Sequence, residues 1–159
     1  MKRISFLCLR YLILIGLLSA CSRPDFNLVG GDSVRLTDHQ GQWIIINYWA
    51  EWCKPCLEEV PELNEFYAQV DGKLLFYSIS YDKDSNEALA EQKKKYGMEY
   101  PIIATDPAPR INIPRPAALP ANYLIAPDGK TYGPVLGPQD AESMVTMFEK
   151  HQQDWLSAR

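Results

Sequence analysis

The hydrophobic pattern along the chain switches between a strand period and a helix period, and the switches mark out the elements. Trp43-Ile44-Ile45-Ile46-Asn47-Tyr48-Trp49 is a continuous apolar, β-branched and aromatic run, the mark of a strand covered on both faces in the middle of a sheet. Beyond it the spacing becomes helical: Leu57, Val60, Leu63, Phe66, Tyr67 and Val70 recur at three- and four-residue steps, with Glu58, Glu59, Glu62 and Glu65 between them. Pro61 removes one backbone donor and predicts a kink near the first turns of this helix. Leu74 to Ser80 predicts a second buried strand, and Ser85 to Tyr96 a polar-faced helix that stops at Gly97. Pro101 to Ala104 and Asn122 to Ile125 predict short strands, and Pro127-Asp128-Gly129-Lys130 a turn into a strand from Thr131 to Leu136. From Asp140 to about Leu156 an amphipathic helix closes the chain, with Met144, Met147, Phe148, His151 and Trp155 towards the core. Ahead of the first buried strand, short apolar runs around Gly30-Gly31, between Asp25 and Leu36, predict a hairpin, and Asp38-His39-Gln40-Gly41 a turn.

One stretch fits neither period. Asp106 to Pro120 holds five prolines in fifteen residues (Pro107, Pro109, Pro114, Pro116 and Pro120) together with Arg110 and Arg115. It predicts a stiff, extended path in place of a helix.

The first twenty-one residues, MKRISFLCLRYLILIGLLSAC, begin basic, continue apolar from Tyr11 to Leu18, and end in small residues and a cysteine. The uncharged apolar run is well short of the roughly twenty residues that span a bilayer, which predicts an export signal. Leu18-Ser19-Ala20-Cys21 resembles the lipobox of bacterial lipoproteins. The resemblance implies removal of residues 1–20, a lipidated Cys21 at the mature N-terminus and attachment to a membrane without spanning it. Residues 21–24 are then a lipidated tether and 25–159 a single domain; Ser22 after the cysteine leans towards the outer membrane of a Gram-negative envelope. Loss of Lys2, Arg3 and Arg10 leaves 13 basic against 20 acidic side chains, a net charge of −7. That balance excludes a nucleic-acid binder, which needs a basic stripe to displace counterions.

Of the four cysteines, Cys8 goes with the signal and Cys21 takes the lipid, so Cys53 and Cys56 remain. Cross-links stabilise more when they close long loops, and Cys53-Lys54-Pro55-Cys56 closes a very short one, which suits a bond that opens and closes. A zinc site needs four ligands, and no second Cys-x-x-Cys accompanies His39 and His151. Strand, motif and helix in sequence put Cys53 at a helix start, where unpaired backbone N–H groups and the neighbouring Lys54 predict a lowered thiol pKa. Pro55 is tolerated there, because first-turn N–H groups need no intrahelical partner. Cys53 is then the attacking sulfur and Cys56, one turn on and more buried, the resolving one. Trp52 packs over the edge of the motif, and Trp49 belongs to the core.

From Asp25 to Trp155 the chain resembles the thioredoxin superfamily, and within it the TlpA/ResA-like envelope thiol-disulfide oxidoreductases. The residues that carry the likeness are Asn47 to Cys56, Glu59-Val60-Pro61, Leu119-Pro120 and Pro127-Asp128-Gly129. The resemblance implies an α/β fold with a central mixed sheet flanked by helices and an N-terminal β-hairpin extension. It implies catalysis by the Cys53–Cys56 dithiol/disulfide with no further cofactor and no metal, and a site tuned by Lys54, Pro55, Glu59 and Pro120. Pro120 matches the family's cis-proline, which together with Trp52 and Leu119 lines a substrate groove, and Glu59 matches an acid that tunes the protonation of the cysteines. A glutamate in the first turns of a helix is also favoured by the dipole alone. Asn47 stands where cytoplasmic thioredoxins carry a buried aspartate.

The implied partners are disulfide-containing envelope proteins, with apocytochrome c a candidate, and a membrane thiol as electron donor, on the periplasmic side of a membrane. Reduction is the leading direction; oxidation or isomerisation on the same fold stays open, because Lys-Pro between the cysteines does not fix a potential. A copper metallochaperone would carry three residues between its cysteines and a partnering histidine, and a thiol peroxidase a Thr-x-x-Cys motif; neither pattern is present.

Overall fold

The computed structural model describes residues 23–70 and 72–158. The export signal, Cys8, Cys21 and its expected lipid, and Ser22 lie outside the described residues. Among the described residues, seven strands and four α-helices follow in the order β1 (Phe26–Asn27), β2 (Ser33–Val34), β3 (Ile44–Trp49), α1 (Lys54–Glu58), α2 (Val60–Gln69), β4 (Leu75–Ser80), α3 (Asn86–Tyr96), β5 (Ile102–Ile103), β6 (Ala121–Ile125), β7 (Thr131–Leu136) and α4 (Ala141–Ser157). A 3₁₀ turn, Leu36–His39, stands where a turn is expected.

β1 and β2 form the expected antiparallel hairpin, and β5-β4-β3-β6-β7 a five-stranded sheet. β3 runs parallel to β4 and antiparallel to β6, with Asn47 opposite both Ser78 and Asn122. All six residues of β3 are buried, as a run without alternation requires of a central strand. The hairpin is stitched to the β5 edge through Val29 N to Ile102 O (2.8 Å) and Ala104 N to Asn27 O (2.8 Å). An edge that would otherwise offer unpaired backbone groups is thereby covered.

The helices begin and end where their capping residues stand. The Ser85 hydroxyl accepts from Ala88 N at the start of α3, and Gly97 closes it in the left-handed conformation; Asp140 caps α4 through Ser143 N. The kink expected at Pro61 is a full break: α1 ends at Glu58, Glu59 stands between, and α2 restarts at Val60 with Pro61 in its first turn. Having no N–H, Pro61 cannot bond the Leu57 carbonyl, and that missing bond separates the two helices.

The buried side chains of all four helices, among them Cys56, Leu63, Phe66, Leu89, Met144 and Phe148, pack in one cluster on one face of the sheet with Ile45, Trp49, Phe76 and Leu124. The opposite face, with Ile46, Tyr48, Tyr77, Ile79 and Tyr123, is covered by Phe26, Val34, Leu36, Ile111, Ile113 and Leu119 instead. Ile111, Ile113 and Leu119 belong to the proline-rich stretch, which forms no helix, as expected, and crosses this face as a strap. Arg110 fastens it at one end by donating to the carbonyls of Arg23 (2.9 Å) and Pro24 (2.8 Å), and Arg115 at the other by donating to the Tyr81 carbonyl (3.0 Å).

The β6–β7 ladder is irregular between Asn122 and Leu124, and Gly133 lies there with φ +110; a Cβ at that position would stand 2.8 Å from the Asn122 carbonyl oxygen. Gly133→Ala should therefore lower the unfolding free energy by about 1–3 kcal/mol in urea titrations of the oxidised protein. An unchanged midpoint would mean that β7 moves away from β6 at no cost.

Candidate active site

Cys53 and Cys56 meet at the start of α1, joined in a disulfide with S–S 2.07 Å. The ladder of β3 ends at Trp49; Cys53 N then bonds Ala50 O (3.1 Å) in a tight turn, which lifts the pair off the end of the sheet onto the helix. Cys53 is the N-cap, its sulfur accepting from Cys56 N (3.3 Å), and Pro55 sits in the first turn. Both cysteines are buried in this state, Cys53 at 4% and Cys56 at 1% exposure; the expected order holds by a small margin. Trp52 stays 66% exposed, its ring edge-on to Tyr81 and its Nε1 donating to Asp82 Oδ2 (2.7 Å). The Arg115 guanidinium lies 3.6 Å from the centre of the Tyr81 ring, so Trp52, Tyr81 and Arg115 form one platform beside the motif.

Lys54, expected to lend its charge to Cys53, is 85% exposed and pairs with Glu58 Oε1 at 2.8 Å. An i,i+4 spacing on a solvated face favours that pairing. Glu51, on the other side of the motif, accepts from Lys95 Nζ (2.9 Å), the Tyr96 hydroxyl (2.9 Å) and Gln92 Nε2 (3.1 Å). The Lys95 hydrogen bond, foremost among these, holds its carboxyl below the ordinary carboxylate range, and the cluster fastens the motif to α3.

Pro120 follows a cis Leu119–Pro120 bond. Tyr48 pairs with Ala121, so one step further along the ladder Pro120 stands level with Trp49, at the end of β3 from which the motif springs. Its carbonyl accepts from Gly137 N (2.9 Å). Leu119 is half-buried between the two core clusters.

Glu59 occupies the break between α1 and α2, three residues after Cys56 and hence on the same helical side. It is buried at 3% exposure. Its Oε1 accepts from Asn47 Nδ2 (3.1 Å) and its Oε2 from the backbone N–H of Gln139 (3.0 Å). Burial is the larger influence and the two donors oppose it, leaving the carboxyl pushed up from an ordinary 4.5 to about 7. Asn47 gives its second N–H to Asn122 Oδ1 (3.1 Å), and both asparagines are fully buried. Tyr100 is also buried here, its phenol raised by burial first and by Glu59 second. Asn122 and Gln139 are site residues that the sequence reading misses. For Asn122 a signal is present: it is the polar residue in the otherwise apolar Ala121–Ile125 run. Among the described residues no three His, Cys, Asp or Glu side chains converge as metal ligands.

A cysteine pair at a helix start, on a mixed five-stranded sheet with the expected hairpin extension, defines a thioredoxin-fold thiol-disulfide oxidoreductase. A profile of the AhpC/TSA family matches residues 21–132, and the chain belongs to that family, among its ResA-like members. It is 31% identical over 121 residues to the thiol-disulfide oxidoreductase ResA of Bacillus cereus, covering 76% of this chain and 69% of that one. With ResA of Geobacillus thermodenitrificans it shares 32% over 131 residues, covering 79% and 74%. Among solved structures, the exposed lipoprotein thioredoxin Etrx1 of Streptococcus pneumoniae superimposes with a TM-score of 0.65 at 17% identity, covering 79% of this chain and 96% of that one. At that identity it speaks for the fold alone.

The Glu59 carboxyl has a direct thermodynamic signature. An unfolded glutamate has lost its proton above 4.5 while the folded one keeps it to about 7, so the folded state binds more protons in between and stability falls as pH rises across that window. Relative to Glu59→Gln, the oxidised protein should lose roughly 3 kcal/mol, at about 1.36 kcal/mol per pH unit, in urea titrations across that range, with no further divergence at higher pH. Parallel profiles would mean that Glu59 ionises like an exposed carboxylate.

Proposed function

We propose that the protein works in the reductive direction, delivering electrons from the Cys53–Cys56 dithiol to disulfides of exported proteins, apocytochrome c before haem attachment among its candidate substrates. The observation that carries this reading is the buried Glu59 carboxyl one turn beyond Cys56. A dithiol is a strong oxidant's product when its thiolate is held by charge and hydrogen bonds. Here the cation next to Cys53 is spent on Glu58, the helix that Cys53 caps has five residues, and a buried acid follows Cys56 by three residues. A thiolate so weakly supported favours the disulfide form and hence donation of electrons.

In the reduced protein, Cys53 attacks one sulfur of the substrate disulfide. That S–S bond breaks, the substrate's other sulfur leaves as a thiol once protonated, and a mixed disulfide forms. Cys56 then loses its proton to the Glu59 carboxylate and attacks the Cys53 sulfur, releasing the second substrate thiol and closing the Cys53–Cys56 bond. Two electrons pass from the protein to the substrate, and a membrane thiol donor restores the dithiol. A group near neutrality is suited to take and return such a proton.

Lipidation at Cys21 places this chemistry on the periplasmic side of an envelope membrane, with Ser22 directing it to the outer one; the lipobox supports the anchor. The strap supports a role in partner choice, since Arg115 and the Trp52–Tyr81 platform lie beside the motif.

Cys53→Ser should abolish disulfide reduction, and Cys56→Ser should accumulate mixed disulfides through Cys53, seen on non-reducing gels. The measured potential should lie towards roughly −270 mV; a value near about −120 mV would make the protein an oxidant and reverse the reading. Replacing residues 106–118 by a helical segment should leave reduction of a small-molecule disulfide intact and depress turnover of the partner captured by Cys56→Ser. Full activity on that partner would remove the strap from recognition.

A further inference from the structure

The buried amides around Glu59 carry a feature that proton transfer alone does not require. Asn47 and Asn122 face each other across β3 and β6. Asn47 spends both N–H groups, one on Glu59 and one on Asn122. Its own Oδ1 and the Nδ2 of Asn122 are buried without a protein partner. Leaving such atoms unmatched in a core is costly, and two asparagines whose leftover atoms are one acceptor and one donor form a complementary set.

Either edge of an asparagine amide fits the same outline. With Glu59 ionised, Asn47 Nδ2 donates to the carboxylate and to Asn122 Oδ1. With Glu59 protonated, a turned Asn47 presents Oδ1 in the same place, where it accepts from the carboxylic O–H and from the turned Asn122 Nδ2. The number of contacts is the same in both arrangements, and so is the number of unmatched atoms, one donor and one acceptor. An aspartate at position 47 could not donate to the carboxylate, and an aliphatic residue could serve neither state.

We propose that Asn47 and Asn122 are positioning residues that turn over together as Glu59 gains and loses a proton, so that the acid exchanges protons with the cysteine pair without losing a buried hydrogen bond. This rests on Glu59 being the proton acceptor of the exchange reaction. The other ionisable groups near Glu59 are accounted for. Tyr100, raised by burial, stays neutral; Glu62 accepts from Ala141 N (3.2 Å) and Asp140 caps Ser143 (2.7 Å); Cys53 and Cys56 are joined. Gln139 N holds the second oxygen in either state, so the protonation change falls on the Asn47 side.

The test is a pH titration by NMR of the full chain, oxidised, following the Glu59 carboxyl carbon and the side-chain amides of Asn47 and Asn122. The expected result is one shared midpoint near 7 for all three, with both amides flat in Glu59→Gln. Asn47→Leu, its folded core checked by its backbone spectrum, should leave the Glu59 midpoint within about half a pH unit, because the donor to the charged form and the acceptor for the neutral form are lost together; a rise of about one unit would mark Asn47 as a fixed donor and overturn the amide proposal. The pH profile of alkylation of the reduced pair should hold its midpoint likewise. A carboxyl that titrates while both amides stay still overturns the amide proposal and leaves Glu59 as proton acceptor. A carboxyl that does not titrate between about pH 5 and 9 overturns the reading beneath it as well.

Discussion

A strand hydrogen-bonded along both edges and packed on both faces has no place for an unsatisfied polar side chain, and β3 carries one. Asn47 lies in the middle of that strand with no exposure, and the arrangement around it follows from meeting its demands. One partner, Asn122, has to arrive on β6 in a register that sets it directly opposite. A slip of one residue would bring Tyr123 there and turn every side chain of β6 to the wrong face. The other partner, Glu59, has to descend from the helical side, and the break before Pro61 leaves it between two helices at the level of the strand. The same strand delivers Cys53, so the redox pair and the buried acid are set by one element.

The sequence made the elements legible because their signals are local. The unbroken run of β3, the three- and four-residue steps of α2, Ser85 and Gly97 at the ends of α3 and Gly30-Gly31 in the hairpin each report on neighbours a few positions away. The placement of helices was less visible. Both parallel crossovers, β3 to β4 and β4 to β5, run in the same direction across the sheet, and right-handed connections then put α2 and α3 on one face. That leaves the other face to the hairpin and the strap.

At the site, the cysteines and Glu59 could be read from a short segment, whereas the donors that hold Glu59 could not. Asn122 and Gln139 stand 63 and 80 positions further along, and their approach depends on sheet register and on where α4 starts. Lys54 shows the opposite failing. Adjacency in sequence suggested a charge beside Cys53, but adjacent positions on a helix point in different directions, and the lysine finds Glu58 on the solvent side.

The strap has a further consequence for how the surface beside the cysteines can change. A helix has a phase: inserting one residue rotates all that follow by about 100°, and the buried stripe is lost. The strap lies outside helix and sheet, so an exchange at one of its exposed positions disturbs no repeating ladder of backbone hydrogen bonds. The exposed positions of the strap, Asn112, Pro114, Ala117 and Ala118, can be exchanged while the sheet beneath keeps its cover from Ile111, Ile113 and Leu119. The fold thus separates a fixed electron-transfer centre from a bordering surface free to diversify without passing the demands of helix geometry on to the core.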